Sequence, residues 1–327
     1  MNNTKAAIKK QNVLMLFIKQ NLGILIFLVV ICAVVSVIQP RFLGTKNLLN
    51  ILRSISITGI IAFGMLLCII IQGIDLSQGS VIGFTSCFCA FMISMVGMPF
   101  WAGVLSALAA GTLFGIFNGA LLSHTKLPPF IVTLATQFIG RGGCYVITRG
   151  NMINVDSRFG ELGNGYLFGV IPLPVVYLLF FFIIMFLLLE KSKFGRNVYA
   201  IGGNMEAARF TGINIKKVIW VIYGISGFLA AVCGIISCSR ITTGQPTTGN
   251  AMEFDAVIAC YLGGVSYLGG EGRISSTLLG AIVLGVLANA MSMLQIPWYV
   301  QNITKGTIIL IAVFFDIWRK ERENNKK

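Results

Sequence analysis

Apolar residues run through this chain in blocks of about twenty, and polar residues gather between the blocks instead of alternating within them. An α-helix needs roughly 20 apolar residues to cross the hydrocarbon core of a bilayer. Blocks approaching that length are placed at residues 22–39, 48–71, 80–97, 101–122, 130–148, 173–189, 218–238, 253–269, 274–294 and 297–317. The eighth is short and rich in glycine. Pro40, Pro99, Pro128, Pro129, Pro172, Pro246 and Pro297 fall at or near block ends, where a missing amide hydrogen does least harm. The two-residue alternation of a barrel strand, sustained over ~10 residues, is nowhere present. The expected fold class is an all-α integral membrane protein of about ten transmembrane helices, with residues 1–327 forming a single transmembrane domain.

Composition agrees with lipid as the solvent. The chain is 56% hydrophobic and 11% charged, with mean hydropathy +0.85, whereas soluble domains carry about 25% charged residues. The net charge of +14 is read as orientation rather than nucleic-acid binding, because the basic residues flank the spans. With the N-terminus inside, 17 Lys and Arg fall in inner segments, 5 in outer ones (Arg41, Lys46, Arg149, Arg158, Arg240), and Arg53, Arg141 and Lys305 within spans. Both termini are therefore expected in the cytoplasm, as an N-terminus 1–21, a coupling loop 190–217 and a C-terminal tail 318–327. The basic N-terminus and the run Leu22–Ile38 superficially resemble a signal peptide. The run is long for one and lacks a small-residue cleavage site, so it reads as an uncleaved first helix.

Pro129-Phe130-Ile131-Val132 opens one span and Pro297-Trp298-Tyr299-Val300 opens another five spans later. Five-helix repeats of opposite orientation, an arrangement that recurs in transporters, would place them so. Gly111, Gly115 and Gly119 are spaced by four, which puts them on one helix face suited to close packing. The eight cysteines lie in apolar segments without CxxC spacing and read as small buried hydrophobes; with one histidine in the chain, no metal spacing exists. No G-x-x-x-x-G-K-[ST] phosphate loop, H-E-x-x-H or nucleophile elbow occurs. ATP binding, if the process needs it, is assigned to a partner, and no cofactor, metal or catalytic residue is expected in this chain.

Several residues stand out against this background. In Gly203-Asn204-Met205-Glu206-Ala207-Ala208-Arg209-Phe210-Thr211-Gly212, Asn204 is a good N-cap and Glu206 sits in the first turn. Gly212 can close the helix in the left-handed conformation. The segment predicts a helix of about two turns in the cytoplasm, either a plain connector or a docking element. Asp75, beside Gly73 and Gly79, is a buried charge and so a functional candidate, or else a carboxylate at the inner membrane surface that caps the following helix together with Ser77. Glu253 and Asp255 begin the eighth span from the outside. They face a partner or the transport pathway, or they complement a helix dipole. Arg141, deep in the fifth span, is expected to face protein or water.

These segments resemble one family. The stretch from Asn204 to Gly212 looks like the EAA-and-glycine coupling segment of ABC importer permeases. Gly73-Ile74-Asp75-Leu76-Ser77-Gln78-Gly79-Ser80, Pro129 to Leu134, Arg141-Gly142, Phe194-Gly195-Arg196, and the run from Gln245 through Glu253-Phe254-Asp255-Ala256 to Arg273 match the ribose-type sugar permeases in order and spacing, from about residue 40 to Asp316. Departures are Gln78, where the family often has a small or apolar residue, and the spacing around Met205-Glu206. The resemblance implies an inner-membrane, multi-pass transport subunit of a prokaryote and no enzyme. It implies a homodimer, an ATP-binding-cassette ATPase often carrying two fused domains, and an extracytoplasmic sugar-binding protein. Alternating access would be driven by the ATPase through Asn204, Glu206, Ala207, Ala208, Arg209 and Gly212. The sugar is ribose or a relative, or a sugar-like signal molecule. Two rival readings stand beside it: an ion-coupled secondary transporter, for which Asp75 and Arg141 are the plausible intramembrane charges, and a membrane enzyme or scaffold, for which no site is visible.

Overall fold

The computed structural model describes residues 21–324. The expected cytoplasmic N-terminus, apart from Asn21, and the last three residues of the tail lie outside the described residues.

The chain is helical almost throughout. Helix α1 spans Leu22–Ile38 and leads through a tight turn, Pro40–Leu43, into α2, Thr45–Ile70. Then come α3 (Gln78–Ser94), α4 (Phe100–His124) and α5 (Pro129–Thr148). An ordered crossing follows, with β1 (Ile153–Asn154), a turn at Ser157–Gly160, α6 (Glu161–Asn164), β2 (Tyr166–Leu167) and β3 (Ile171–Pro172). Helix α7 (Leu173–Phe186) runs on through a π-helical turn, Leu187–Lys191, to α8 (Lys193–Gly203) and α9 (Met205–Phe210). The remainder is α10 (Ile215–Ile241), β4 (Thr243–Gly244), α11 (Met252–Leu262), α12 (Ile274–Met293) and α13 (Trp298–Asn324). Pro129 and Pro174 stand at helix N-termini, where the first amides have no intrahelical acceptor to lose.

Among the described residues, seven helices are long and apolar enough to cross a membrane: α2, α4, α5, α7 with its π turn, α10, α12 and α13 up to Trp318. Helices α1 and α3 are shorter, at 17 residues each. The expected eighth span is corrected by the structure. Helix α11 has 11 residues and rises only ~16 Å. Beyond it, Gly264, Gly269 and Gly270 take positive φ values of +74°, +77° and +74° and end helical geometry. The segment 263–273 is an irregular loop packed on protein, with Gly270 N–H donating to the Ile70 carbonyl at 2.8 Å. Non-helical backbone at such a position is tolerable because its polar groups find protein partners.

Helices α2 and α10 form the centre. The apolar window of α2 is 89% buried, against none for that of α13, so α2 is enclosed by other helices and α13 lies at the periphery. Helix α10 packs on α4 through the glycine face anticipated above. A Cβ on Gly111 would come within 2.6 Å of the Ala231 side chain, one on Gly119 within 2.8 Å of Trp220 Cα, and one on Gly115 would overlap the Tyr223 carbonyl. The backbones therefore touch directly. All eight cysteines are free thiols, and seven are buried among these helices.

Two chain reversals define the interior. Past Ile70 the chain turns through Gln72 (φ +63°) and doubles back, so that α3 starts beside the middle of α2. Gln78 Nε2 reaches the Ile61 carbonyl at 3.2 Å, nine residues short of the end of α2 and ~13 Å back along it. Past Ile241 it turns through Thr242 (φ +52°) and doubles back again. There β4 pairs antiparallel with β1 (Ile153 opposite Gly244, Asn154 opposite Thr243), and residues 244–249 descend along α3. Residues 242–251, between two of the expected spans, therefore fold inward and deliver the N-terminus of α11 to that of α3.

Candidate functional site

The residues singled out from sequence fall into two places. One is the junction where α3 and α11 begin. Asp75 is 1% exposed. Its Oδ1 accepts from Ser77 N–H (3.1 Å) and Ser77 Oγ (2.5 Å), and its Oδ2 accepts from Ser226 Oγ (2.5 Å). Ser226 lies eleven residues into α10, so Asp75 does not sit at a membrane surface as one reading supposed. A buried carboxylate needs several donors to be tolerated, and three hydrogen bonds supply them. Gln78 Nε2 also donates to Ser226 Oγ at 2.9 Å. Asn118 of α4 donates to Ser77 Oγ at 2.9 Å, and Thr133 of α5 to the Ile74 carbonyl at 3.0 Å. The whole reversal 73–78 is tied to three helices. Sequence reasoning noted Gln78 only as a departure from the family pattern and missed Asn118 and Ser226; a polar residue inside an otherwise apolar span is the signal that could have found the last two.

On the other side of the junction, Glu253 is 1% exposed. It is enclosed rather than facing out of the membrane, correcting its expected position at the outer surface. Gln137 of α5 donates to Glu253 Oε1 at 2.7 Å. Asp255, two residues further along α11 and so on a different, partly exposed face, forms an ion pair with Lys305 of α13 at 2.6 Å. Arg141 faces protein, as expected. Its Nη1 donates to the Pro246 carbonyl (2.5 Å) and the Thr248 carbonyl (2.8 Å), and its Nη2 to that of Gly79 (3.2 Å). One guanidinium fork thereby binds the inward-folded segment to the start of α3, the geometry for which arginine is better suited than lysine. The buried Oε2 of Glu253, Oε1 of Gln78, Oδ1 of Asn118 and hydroxyl of Tyr223 have no hydrogen-bond partner among the described residues.

The second place is α9. Asn204 caps it by accepting from Ala207 N–H at 2.9 Å. Glu206 and Arg209 pair across one turn at 3.1 Å on the exposed face. Gly212 takes φ +81°, and Ile213 N–H returns to the Ala208 carbonyl at 3.3 Å, closing the helix. Ala208 is buried, Ala207 is exposed, and Phe210 is 88% exposed with Met205 beside it. Met205 and Phe210 were not anticipated, since an exposed apolar residue looks no different from a core one in sequence. Helix α8, which leads into α9, is anchored to loop 263–273 and to the turn after α2. Gln72 Nε2 donates to the Gly202 carbonyl at 3.1 Å and Tyr199 Oη to that of Gly272 at 2.6 Å. Asp316 accepts from Ser266 Oγ and Tyr267 N–H, both at 3.1 Å. Burial, and then nearby Glu190, pushes the Tyr199 phenol up to about 12, so its hydroxyl remains a donor at neutral pH.

The geometry is thus that of a membrane bundle with a capped, solvent-facing helix hung on one side. Comparison with known proteins agrees. The profile of the family described as branched-chain amino acid transport system / permease component matches residues 47–313. The ribose import permease protein RbsC of Bacillus subtilis is 41% identical over 302 residues, covering 91% of this chain and 93% of that protein. RbsC of Haemophilus influenzae is 40% identical over 296 residues (89% and 91%). The L-arabinose transport system permease protein AraH of Escherichia coli is 38% identical over 300 residues (91% of each). No solved structure matches. The chain belongs to this permease family, in its ribose-type ABC importer branch, and is a membrane transport subunit rather than an enzyme.

Proposed function

We propose that this chain is the transmembrane permease of an ATP-binding-cassette importer in a prokaryotic inner membrane, passing ribose or a related monosaccharide inward. One observation carries the reading: a chain 40% identical over nine tenths of its length to a ribose import permease also presents a capped, exposed helix with Phe210 and Met205 at its surface. An ATPase, often two fused domains, docks on α9, and an extracytoplasmic binding protein delivers the sugar to a homodimer of this chain. ATP-driven closure pulls on α9, and loop 263–273 passes the movement to α2 and α11, giving alternating access. The likeness to an arabinose permease keeps other sugars, and sugar-like signal molecules, within the proposed range. Both termini are cytoplasmic in this reading, which the 17-to-5 asymmetry of Lys and Arg supports.

The ten helical segments form two inverted five-helix repeats. In each half a long helix (α2, α10) ends in a non-glycine residue of positive φ (Gln72, Thr242), folds back, and starts a shorter helix (α3, α11). Eight residues after the Pro129 and Pro297 that open the matching spans stand Gln137 and Lys305, and both contact a carboxylate of α11. Asp75, Ser77, Arg141, Glu253 and Asp255 serve chiefly to hold the folded-back segments, because each of them spends at least one polar atom on protein. The test is ribose uptake into proteoliposomes holding this chain, its ATPase and its binding protein. Uptake should require ATP, and Ala207→Arg should abolish it while insertion stays normal. Uptake by this chain alone on a proton or sodium gradient would establish the ion-coupled reading instead.

A further inference from the structure

Two recesses meet at Lys217, in the first turn of α10. One is an apolar groove of about 480 Å³ between α4 and α10, walled by Thr112, Ile116, Trp220, Val221, Gly224 and Phe228. From Lys217 to Phe228 is eleven residues, a length of ~16 Å, or roughly half the ~30 Å hydrocarbon core and so about one leaflet. The other is a smaller hollow of about 290 Å³ beside α8, where Lys217 stands with Phe194, Asn197 and Asn214. Lys217 and Val221 belong to both. A hollow that holds one lysine and two asparagines among apolar walls therefore opens into a dry groove one leaflet deep.

Basic side chains outnumber acidic ones in the surroundings, where Arg209, which lines the neighbouring recess, is paired with Glu206. Among the described residues no carboxylate lies within ion-pair distance of Lys217, and Lys126 and Lys216 line the neighbouring recess. Trp220 marks the boundary level. Its Nε1 donates to Ser123 Oγ at 2.5 Å, its ring lies 5.7 Å from that of His124, and it remains 39% exposed, as tryptophans at a membrane–water interface do.

We propose that the paired recess binds one anionic phospholipid, with its phosphate held by Lys217, Asn197 and Asn214 and an acyl chain lying along the groove. Charge complementarity selects the headgroup, and the apolar walls select a lipid over a free phosphate. Assignment to the cytoplasmic leaflet rests on the proposed orientation; the binding does not.

Trp220 is a built-in reporter. In protein with Trp101, Trp298 and Trp318 changed to Phe, Trp220 fluorescence is read in vesicles containing brominated phosphatidylglycerol or brominated phosphatidylcholine. Phosphatidylglycerol should be preferred about fivefold, the worth of one basic side chain near an anionic surface. Lys217→Gln should remove the preference while leaving general quenching. Equal quenching by the two lipids in the parent protein, or an undiminished preference in Lys217→Gln, overturns the proposal. So does the absence of quenching by either, which would mean that a second copy of the chain fills the groove. Should the triple Trp variant fail to fold, native mass spectrometry of the unmodified protein and of Lys217→Gln gives the same decision: phosphatidylglycerol adducts should outlast phosphatidylcholine ones only in the former.

Discussion

The carboxylate of Glu253 lies directly over the Cα of Gly79, so that the N-termini of α11 and α3 meet with that one side chain resting on bare backbone. A Cβ on Gly79 would overlap Glu253 Oε2 and stand 2.6 Å from the Gly249 carbonyl. Gly79→Ala should destabilise the protein by about 1–3 kcal/mol, the usual cost of overpacking. Gly142→Ala, also in a helix of this bundle but with nothing within 4 Å, should cost nothing. Thermal inactivation midpoints in detergent compare the two directly.

Arg141 is the fastener of the folded-back segment. Arg141→Lys keeps the charge but cannot reach the Pro246, Thr248 and Gly79 carbonyls together. Transport should fall at least tenfold, equivalent to the loss of about 1.4 kcal/mol from the productive arrangement. A cysteine placed at Thr248 should react faster with a membrane-impermeant maleimide in the variant than in the parent; unchanged labelling would contradict the fastening role.

Lys305 and Asp255 are each partly buried, at 23% and 20% exposed. Removing one member of such a pair strands the other charge, whereas removing both does not. Lys305→Met should therefore cost more stability, about 1–3 kcal/mol after allowance for partial exposure, than the double variant Lys305→Met with Asp255→Asn. Expression and unfolding midpoints of the three proteins supply the cycle.

The cap on α9 gives a milder, local effect. Asn204→Ala removes the acceptor for Ala207 N–H and should weaken the helix by about 1 kcal/mol. The amount of ATPase retained by the purified permease should drop severalfold, while membrane insertion and the unfolding midpoint of the bundle stay unchanged. Restoration by Asn204→Asp would confirm that capping is the cause.

How much of this was written locally in the chain differs from residue to residue. The helix at Met205–Phe210 was legible with its cap and its stop, because Asn204, Glu206 and Gly212 all act within one stretch of nine residues. The apolar blocks gave the bundle, and the four-residue glycine spacing marked the close-packing face of α4, though not α10 as its partner. Depth was not legible. Glu253 carries the local mark of a helix N-terminus and does begin a helix, but where that helix begins is decided by Arg141, more than a hundred positions away. Asp75 likewise needs Ser226, on another helix, to lie where it does. Hydropathy reports that a segment avoids water; it cannot distinguish a helix that crosses lipid from one that starts inside protein.

The brevity of α11 has a consequence for biogenesis. Eleven residues cannot satisfy the width of a bilayer when they leave the insertion machinery, and the segment preceding them has polar backbone groups that lipid would not accept. Helix α5, already synthesised, holds Arg141 and Gln137 ready for it, whereas Lys305 arrives only with α13. Insertion and tertiary folding are therefore one event for this stretch: the nascent half-helix enters by docking on earlier helices, and it is locked by the last one to emerge.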